Sequence, residues 1–286
     1  MDKSIINSRT LTLVNTYLNN PGQAVGLVGQ KWLNKNLIAI DLAERLLSLN
    51  LGSLTNYPYY RHLGNEDTVK ITIDEVRSLS DFLILKVPIK QKIARIIIIE
   101  NADRLTIEAQ NALLKNIEEP PKNTVFILTF ESITSLLSTI TSRLHIINVY
   151  KPGEKEIKDY YISKGYHQTD IDQSYLISDG LPRLMELLLT TKNNPINEAL
   201  TTAKQLLSST TFERLNRINE LAKNKKELNN LFFVIKQMAK IGLSSNDPRN
   251  ALKWKIILRE TIDSEEKLKT NVQTKLLLTN YVLSLN

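Results

Sequence analysis

Four consecutive isoleucines, Ile96 to Ile99, run straight into Glu100-Asn101-Ala102-Asp103. A continuous β-branched run of this kind reads as a strand buried on both faces. Acidic residues at the end of such a strand stand where open α/β sheets bind ligands. A helical pattern follows, with Ala109, Ala112, Leu113, Leu114 and Ile117 on one face. It stops at Glu118-Glu119-Pro120-Pro121, because proline cannot continue a helix. A second apolar run, Val125 to Leu128, comes next, and after it Ser142-Arg143. This is the layout of a nucleotide-binding α/β domain.

The flanking segments fit that layout. Residues 8–19 predict an amphipathic helix, Ala24 to Val28 a short strand, and Lys35 to Leu49 a helix that buries Ile38, Leu42, Leu46 and Leu49. Residues 50–68 read as irregular and Val69 to Ile73 as a strand, with Asp74 capping a helix from Glu75 to about Leu85. Ser138 to Arg143 is a short helical segment and Ile146 to Val149 a last strand. After Lys151-Pro152-Gly153 no strand signal remains. Three short helices fit 154–164, 170–178 and 182–190, Asn193-Asn194-Pro195 reads as a linker, and longer helices fit 196–208, 212–223, 226–242, 248–262 and 265–284. Asp247-Pro248 and Asp263-Ser264 are the start signals for the last two.

A chain of 286 residues has room for two or three such domains. It contains no cysteine, which excludes a disulfide framework, a cysteine zinc site and a cysteine nucleophile. His62, His145 and His167 show no metal-ligand spacing. No apolar run approaches the length of a membrane span, and Met1-Asp2-Lys3 leads into polar residues without a signal-peptide core. A cytoplasmic protein without a membrane partner is expected. The net charge of +7 admits nucleic acid nearby, although a lysine-rich solvated surface produces the same balance.

The loop after the first strand carries part of a phosphate-binding motif. In Gly29-Gln30-Lys31-Trp32-Leu33-Asn34-Lys35-Asn36, the first glycine and the lysine stand at the spacing of Gly-x4-Gly-Lys-Ser/Thr. Asn34 replaces the second glycine and can still adopt a positive φ. Asn36 replaces the hydroxyl that binds magnesium. At the end of the central strand Glu100 could join a metal shell, but Asn101 cannot act as a base because its amide takes no proton. Both motifs fail where metal and water would be touched.

Two arginines are candidates for phosphate contact. Arg143 ends a short helix and could project toward a neighbouring subunit's phosphates, or be an ordinary surface arginine. Arg183, in Gly180-Leu181-Pro182-Arg183, could reach a nucleotide, or be an exposed first-turn residue. Glu118 and Glu119 read as a solvated helix end, and Trp32 and Trp254 as packing residues.

Several of these stretches resemble one family. Ile71-Thr72-Ile73-Asp74-Glu75-Val76-Arg77, then Ala109-Gln110-Asn111-Ala112-Leu113-Leu114-Lys115-Asn116-Ile117-Glu118-Glu119-Pro120-Pro121, then Phe126-Ile127-Leu128 with Leu136, Thr139-Ile140 and Ser142-Arg143, are similar to the AAA+ clamp loaders. The family ends the last motif Ser-Arg-Cys, and here Leu144 replaces the cysteine. The likeness is dense over residues 69–144, fainter over 10–49 and 176–187, and beyond Asn193 rests on helical order alone.

The resemblance implies a RecA-like AAA+ α/β domain with a parallel sheet over 1–150, a three-helix lid over 151–193 and an all-α collar over 194–286. The delta-prime branch, which tends to lose nucleotide chemistry while keeping the Ser-Arg finger, is the most similar. Phe130-Glu131 stand where ATPase members carry a threonine that senses the γ-phosphate. Many members carry a four-cysteine zinc module, but Asn50 to Gly64 is short and has no cysteine, so no zinc is expected.

The implied role is a non-catalytic stator of the bacterial DNA polymerase III clamp loader. It would complete a hetero-pentamer with ATPase subunits and delta, serve the sliding clamp and primed DNA, and donate Arg143 to a neighbour's ATP site. Gly29, Lys35, Glu100, Asn101 and Arg183 would form its own degenerate nucleotide site, where ATP binds weakly or not at all, with no cofactor required. Leu231, Phe232, Val234, Ile235 and Met238 give one helix more apolar surface than a surface helix needs; some of it must face the bundle core, and the excess would meet neighbouring collars. An ATPase subunit with diverged motifs, or an AAA+ regulator outside replication, are the alternatives.

Overall fold

The apolar runs become strands because they alternate between two covered faces. In chain order the first part consists of α1 (Ser8–Asn19), β1 (Ala24–Val28), α2 (Lys35–Leu46), β2 (Tyr60–Leu63), α3 (Ile73–Ile84), β3 (Arg95–Ile99), α4 (Ile107–Glu118), β4 (Thr124–Phe130), α5 (Ser138–Thr141) and β5 (His145–Asn148). The strands form one parallel sheet in the order β2-β3-β4-β1-β5. Ile97, Ile99, Phe126, Leu128 and Phe130 share a core with Val76, Leu79 and Phe82 of α3 and with Leu113 and Ile117 of α4. The intervening Ile96, Ile98, Val125 and Ile127 are equally buried and point the other way, where α2 packs on the sheet. Each such side chain contributes roughly 1.5–3 kcal/mol by leaving water.

The structure is a computed structural model and describes residues 5–66, 68–87, 91–190, 194–244, 247–268, 270 and 272–285. The expected polar start Met1-Asp2-Lys3 and the expected lid boundary at Asn193 lie outside the described residues. By internal contacts the chain divides into two compact units, Met1–Glu156 and Ile157–Asn286.

Four local expectations in the first unit are corrected. The edge strand β2 lies inside the stretch read as irregular, and Val69 to Ile73 is not a strand of the sheet. Ile71 makes only an isolated bridge to Leu105, while Val69 is 82% exposed. The helix cap is Thr72 rather than Asp74: its hydroxyl accepts from the Glu75 amide, and the Glu75 carboxylate accepts from the Thr72 amide. Helix α2 stops at Leu46, where Ser48 turns to φ 55°, so Leu46 and Leu49 are only half-buried.

The second unit is helical among its described residues. It contains α7 (Gln168–Ser178), α8 (Pro182–Thr190), α9 (Pro195–Ser208), α10 (Thr211–Leu221), α11 (Lys225–Leu243), α12 (Pro248–Leu268) and α13 (Thr274–Ser284), while α6 (Glu154–Ser163) joins the two units in sequence. Asn194 starts α9 by accepting from the amides of Ile196 and Asn197, with Pro195 at the first helical position. Asp263-Ser264 starts no helix. Ser264 is buried, and Thr261, one turn of α12 earlier, donates to the Ile257 carbonyl and meets the Tyr281 hydroxyl at 2.9 Å, so α12 runs on to Leu268.

Helix α11 packs against α7, α9 and α12. Leu231, Phe232, Val234 and Ile235 are therefore buried within this chain and Met238 half-buried, so these residues face the bundle core and leave little of the expected excess for neighbouring collars. Arg214, 7% exposed, donates to the carbonyls of Leu206, Leu207 and Leu285 and closes the ends of α9 and α13. Among the described residues no helix is long and apolar enough to cross a membrane.

Candidate functional site

Parallel register brings the strand ends to one edge. Val28 pairs with Phe130, Ile99 with Leu128 and Leu63 with Ile99. The residues that follow these strands, Gly29, Gly64, Glu100 and Glu131, therefore emerge together at the carboxyl edge, where α/β sheets bind ligands.

The loop after β1 keeps its turn. Asn34 holds φ 56° and ψ 28°, the left-handed conformation that a glycine would otherwise supply. Its groups, however, are committed to the protein. The Gly29 amide donates to the Phe130 carbonyl at 3.2 Å. A Cβ on Gly29 would lie 2.7 Å from the Val149 carbonyl, so close passage of the neighbouring backbone already requires glycine there. Lys35 is buried, and its ammonium donates to the carbonyls of Gly29 at 2.6 Å and Gln30 at 2.9 Å. In a phosphate loop it is amides that face the ligand. Burial pulls the Lys35 pKa below the usual lysine range, and the charges of Glu131, Asp103 and Glu100 oppose that shift.

Asn36 stands where a metal-binding hydroxyl would be. The side-chain oxygens of Asn34 and Asn36, with Oδ1 of Asp103, are buried without a hydrogen-bond partner among the described residues. These orphans give a stability prediction. Asn34→Gly keeps the turn and removes one orphan, so it should raise stability by about 0.5–1 kcal/mol, whereas Asn34→Ala removes the same orphan but lacks asparagine's tolerance of the left-handed region and should lower it by about 0.5 kcal/mol. Urea unfolding of the two variants checks both signs.

At the end of β3, Glu100 is buried and holds His62 of β2, with Nε2 to Oε2 at 3.1 Å. The other ring nitrogen of His62 meets the Tyr60 hydroxyl at 2.9 Å. Burial and the Glu100 charge push the Tyr60 pKa up to about 12. Gly64, at φ 75°, allows this close approach, since a Cβ there would lie 2.3 Å from the Glu100 carbonyl. Asn101 is left-handed at φ 53°; its amide donates to the Thr129 hydroxyl and its side chain to the Asn65 carbonyl. The carboxylate that could reach a metal is thus engaged by an imidazole. The residue beside it has no basic atom to accept a proton. This donor set does not fit magnesium-ATP hydrolysis.

Arg143 stands apart from that cluster, just beyond α5. Its Nη2 meets Glu118 Oε1 at 2.7 Å, and its Nη1 donates to the Thr139 carbonyl at 2.7 Å. Gln110 of α4 accepts from the Leu137 amide at 2.8 Å and so ties α5 to α4. Arg183 lies in the second unit, on the first turn of α8, paired with Glu186 at 3.0 Å. Sequence reasoning assigned no role to His62, Tyr60 or Gln110 and read Glu118 as a solvated helix end. The first two could have been found only from strand register, which no local pattern reveals.

Residues 18–152 match a family model described as DNA polymerase III, delta subunit. Over 117 residues the chain is 34% identical to DNA polymerase III subunit delta' of Haemophilus influenzae, which covers 41% of this chain and 35% of that protein. It is 30% identical over 164 residues to an uncharacterised protein of Mycoplasma pneumoniae, covering 54% of this chain and 63% of that one. The chain thus spans about a third of the delta' relative's length and less than two thirds of the other's. A gamma subunit-related protein of Thermotoga maritima superposes with a TM-score of 0.57 at 20% identity, over 96% of this chain and 98% of that one. That likeness speaks for the fold alone: a parallel-sheet α/β domain followed by helices.

Proposed function

We propose that this protein is a non-catalytic subunit of the bacterial clamp loader, a reading supported by the likeness of residues 18–152 to the DNA polymerase III delta-subunit model and of 117 residues to a delta' subunit. It joins ATPase subunits and delta in a five-membered AAA+ ring that loads the sliding clamp onto primed DNA. It lends Arg143 to a neighbouring subunit's ATP. One observation carries this reading: each group that would handle magnesium-ATP in its own site is turned onto the protein, while Arg143 stands on the surface, 39% exposed. Lys35 is spent on loop carbonyls, Glu100 on His62, and Asn36 and Asn101 lack the required hydroxyl and base. A guanidinium beyond α5 can meet two phosphate oxygens of a neighbour and offset charge that grows in the transition state.

In this reading residues 151–193 act as the lid and 194–286 as the collar. Exposed Phe212, Leu252 and Leu276, rather than the buried Leu231, Phe232, Val234 and Ile235 of α11, are among the apolar groups available to neighbouring collars. ATP is the neighbour's substrate and no zinc is required.

The purified chain should hydrolyse ATP no faster than a control without protein, and its addition to the other subunits should raise their clamp-stimulated hydrolysis. Turnover by the pure chain near ~1 per second, within the ordinary enzyme range, that vanishes in Lys35→Ala would make it an ATPase subunit instead.

A further inference from the structure

An exposed ion pair contributes little to folding, so the pairing of Arg143 with Glu118 calls for another account. Glu118 is the last residue of α4, and its place is tightly determined. The Glu119 amide closes the helix on the Lys115 carbonyl at 3.2 Å, and Pro120-Pro121 end it. At the other end of the helix pair, Gln110 binds the Leu137 amide at 2.8 Å, and α4 packs directly on α5. The carboxylate of Glu118 and the carbonyl of Thr139 are therefore two fixed points in one rigid body. They take Nη2 and Nη1 of the guanidinium, each at 2.7 Å, with Ser142 Oγ a further 3.4 Å contact of Nη1. Nε makes no hydrogen bond to the described residues.

We propose that Glu118 is a positioning residue for Arg143: it fixes the plane of the guanidinium before a neighbour's phosphate arrives. An arginine free to rotate must lose its rotamer freedom in the transition state. One already held at two nitrogens has lost most of it, and its remaining N–H groups stay available. Preorganised charge needs no rearrangement at the moment of reaction, and small displacements of such a group are expensive in rate. Glu118 touches no substrate in this scheme; it acts through Arg143. The proposal rests on the finger role of Arg143, and the experiment separates the two.

Complexes are rebuilt from full-length subunits containing wild type, Glu118→Ala, Glu118→Gln, Arg143→Ala or the double variant Glu118→Ala/Arg143→Ala, and clamp-stimulated ATP hydrolysis is followed against ATP concentration. Glu118→Ala should lower the maximal rate roughly 10-fold, with half-saturation unchanged, because only a transition-state contact is disturbed. Glu118→Gln keeps an oxygen for Nη2 and should retain most of the rate. The double variant should be no slower than Arg143→Ala alone, a non-additivity that a purely structural role would not produce. An unchanged or higher rate in Glu118→Ala overturns the proposal, the higher rate meaning that Glu118 restrains the finger. Additive losses also overturn it. If Arg143→Ala matches wild type, the finger reading itself fails; if Arg143→Ala is slow and Glu118→Ala is not, only the positioning role fails.

Discussion

Arg143→Ala should slow ATP hydrolysis at the neighbouring site on the order of 10³-fold, the lower end of what arginine fingers contribute. The chain itself should hardly notice. Arg143 and Glu118 have side chains 39% and 45% exposed, and a pair so well solvated contributes under about 1 kcal/mol to folding. The melting temperature should move by less than about 4 °C, and the complex should still assemble. That separation of a large kinetic loss from a small stability loss distinguishes a finger from a structural arginine. Arg143→Lys should rescue poorly. An ammonium that met the Thr139 carbonyl and Glu118 would have a single N–H left, and it lacks the planar fork that meets two phosphate oxygens at once. The measurement is single-turnover hydrolysis by complexes in which only the adjacent ATP site is active. Equal rates for wild type and Arg143→Ala would remove the mechanism proposed for this subunit.

The strands that bury both faces were legible from sequence because their chemistry is local. Ile96 to Ile99 and Val125 to Leu128 admit few other structures, and β3 and β4 enclose both runs. The edge of the sheet was not legible. Tyr60-Arg61-His62-Leu63 has no apolar alternation, since β2 is half-exposed and held by β3 alone, while Val69 to Ile73 has the composition of a strand and ends in a helix cap. Tertiary pairing overrode propensity in both places. The same limit applies to the site. Asn34, Asn36 and Asn101 announce what is missing, because a motif read along the chain also reveals its gaps. What replaces the missing chemistry does not follow from local sequence. His62 reaches Glu100 across 38 positions and Glu118 meets Arg143 from a different helix, so only the folded register puts them together. The Asp263-Ser264 signal misled for a related reason. Buried inside α12, Ser264 serves packing, and a residue type suited to starting a helix does not oblige one to start.

A fragment ending at Gly153 should fold but not assemble, whereas one ending at residue 193 should neither fold well nor assemble. Residues 1–153 contain the whole five-stranded sheet, α1 to α5, and the core built on Phe126, Phe130, Leu79 and Leu113. Such a layered α/β unit carries its own core and should unfold cooperatively in urea. The longer fragment adds α7 and α8 but cuts them from their partners, because α8 packs on α9 and α7 on α11. The faces left uncovered belong to helices whose Ile171, Leu184 and Met185 are fully buried in the intact chain. Extending the fragment should therefore increase dye binding to exposed apolar surface and promote aggregation, the reverse of what added length ordinarily does. For assembly, both fragments lack the helices proposed to meet neighbouring collars, so binding to the other subunits should weaken at least ~100-fold, about 2.7 kcal/mol. Retained affinity in the 1–153 fragment would place the assembly surface on the α/β unit. A well-behaved 1–193 fragment would mean that the three short helices form a lid independent of α9 to α13, and that the unit from Ile157 onward is two domains rather than one.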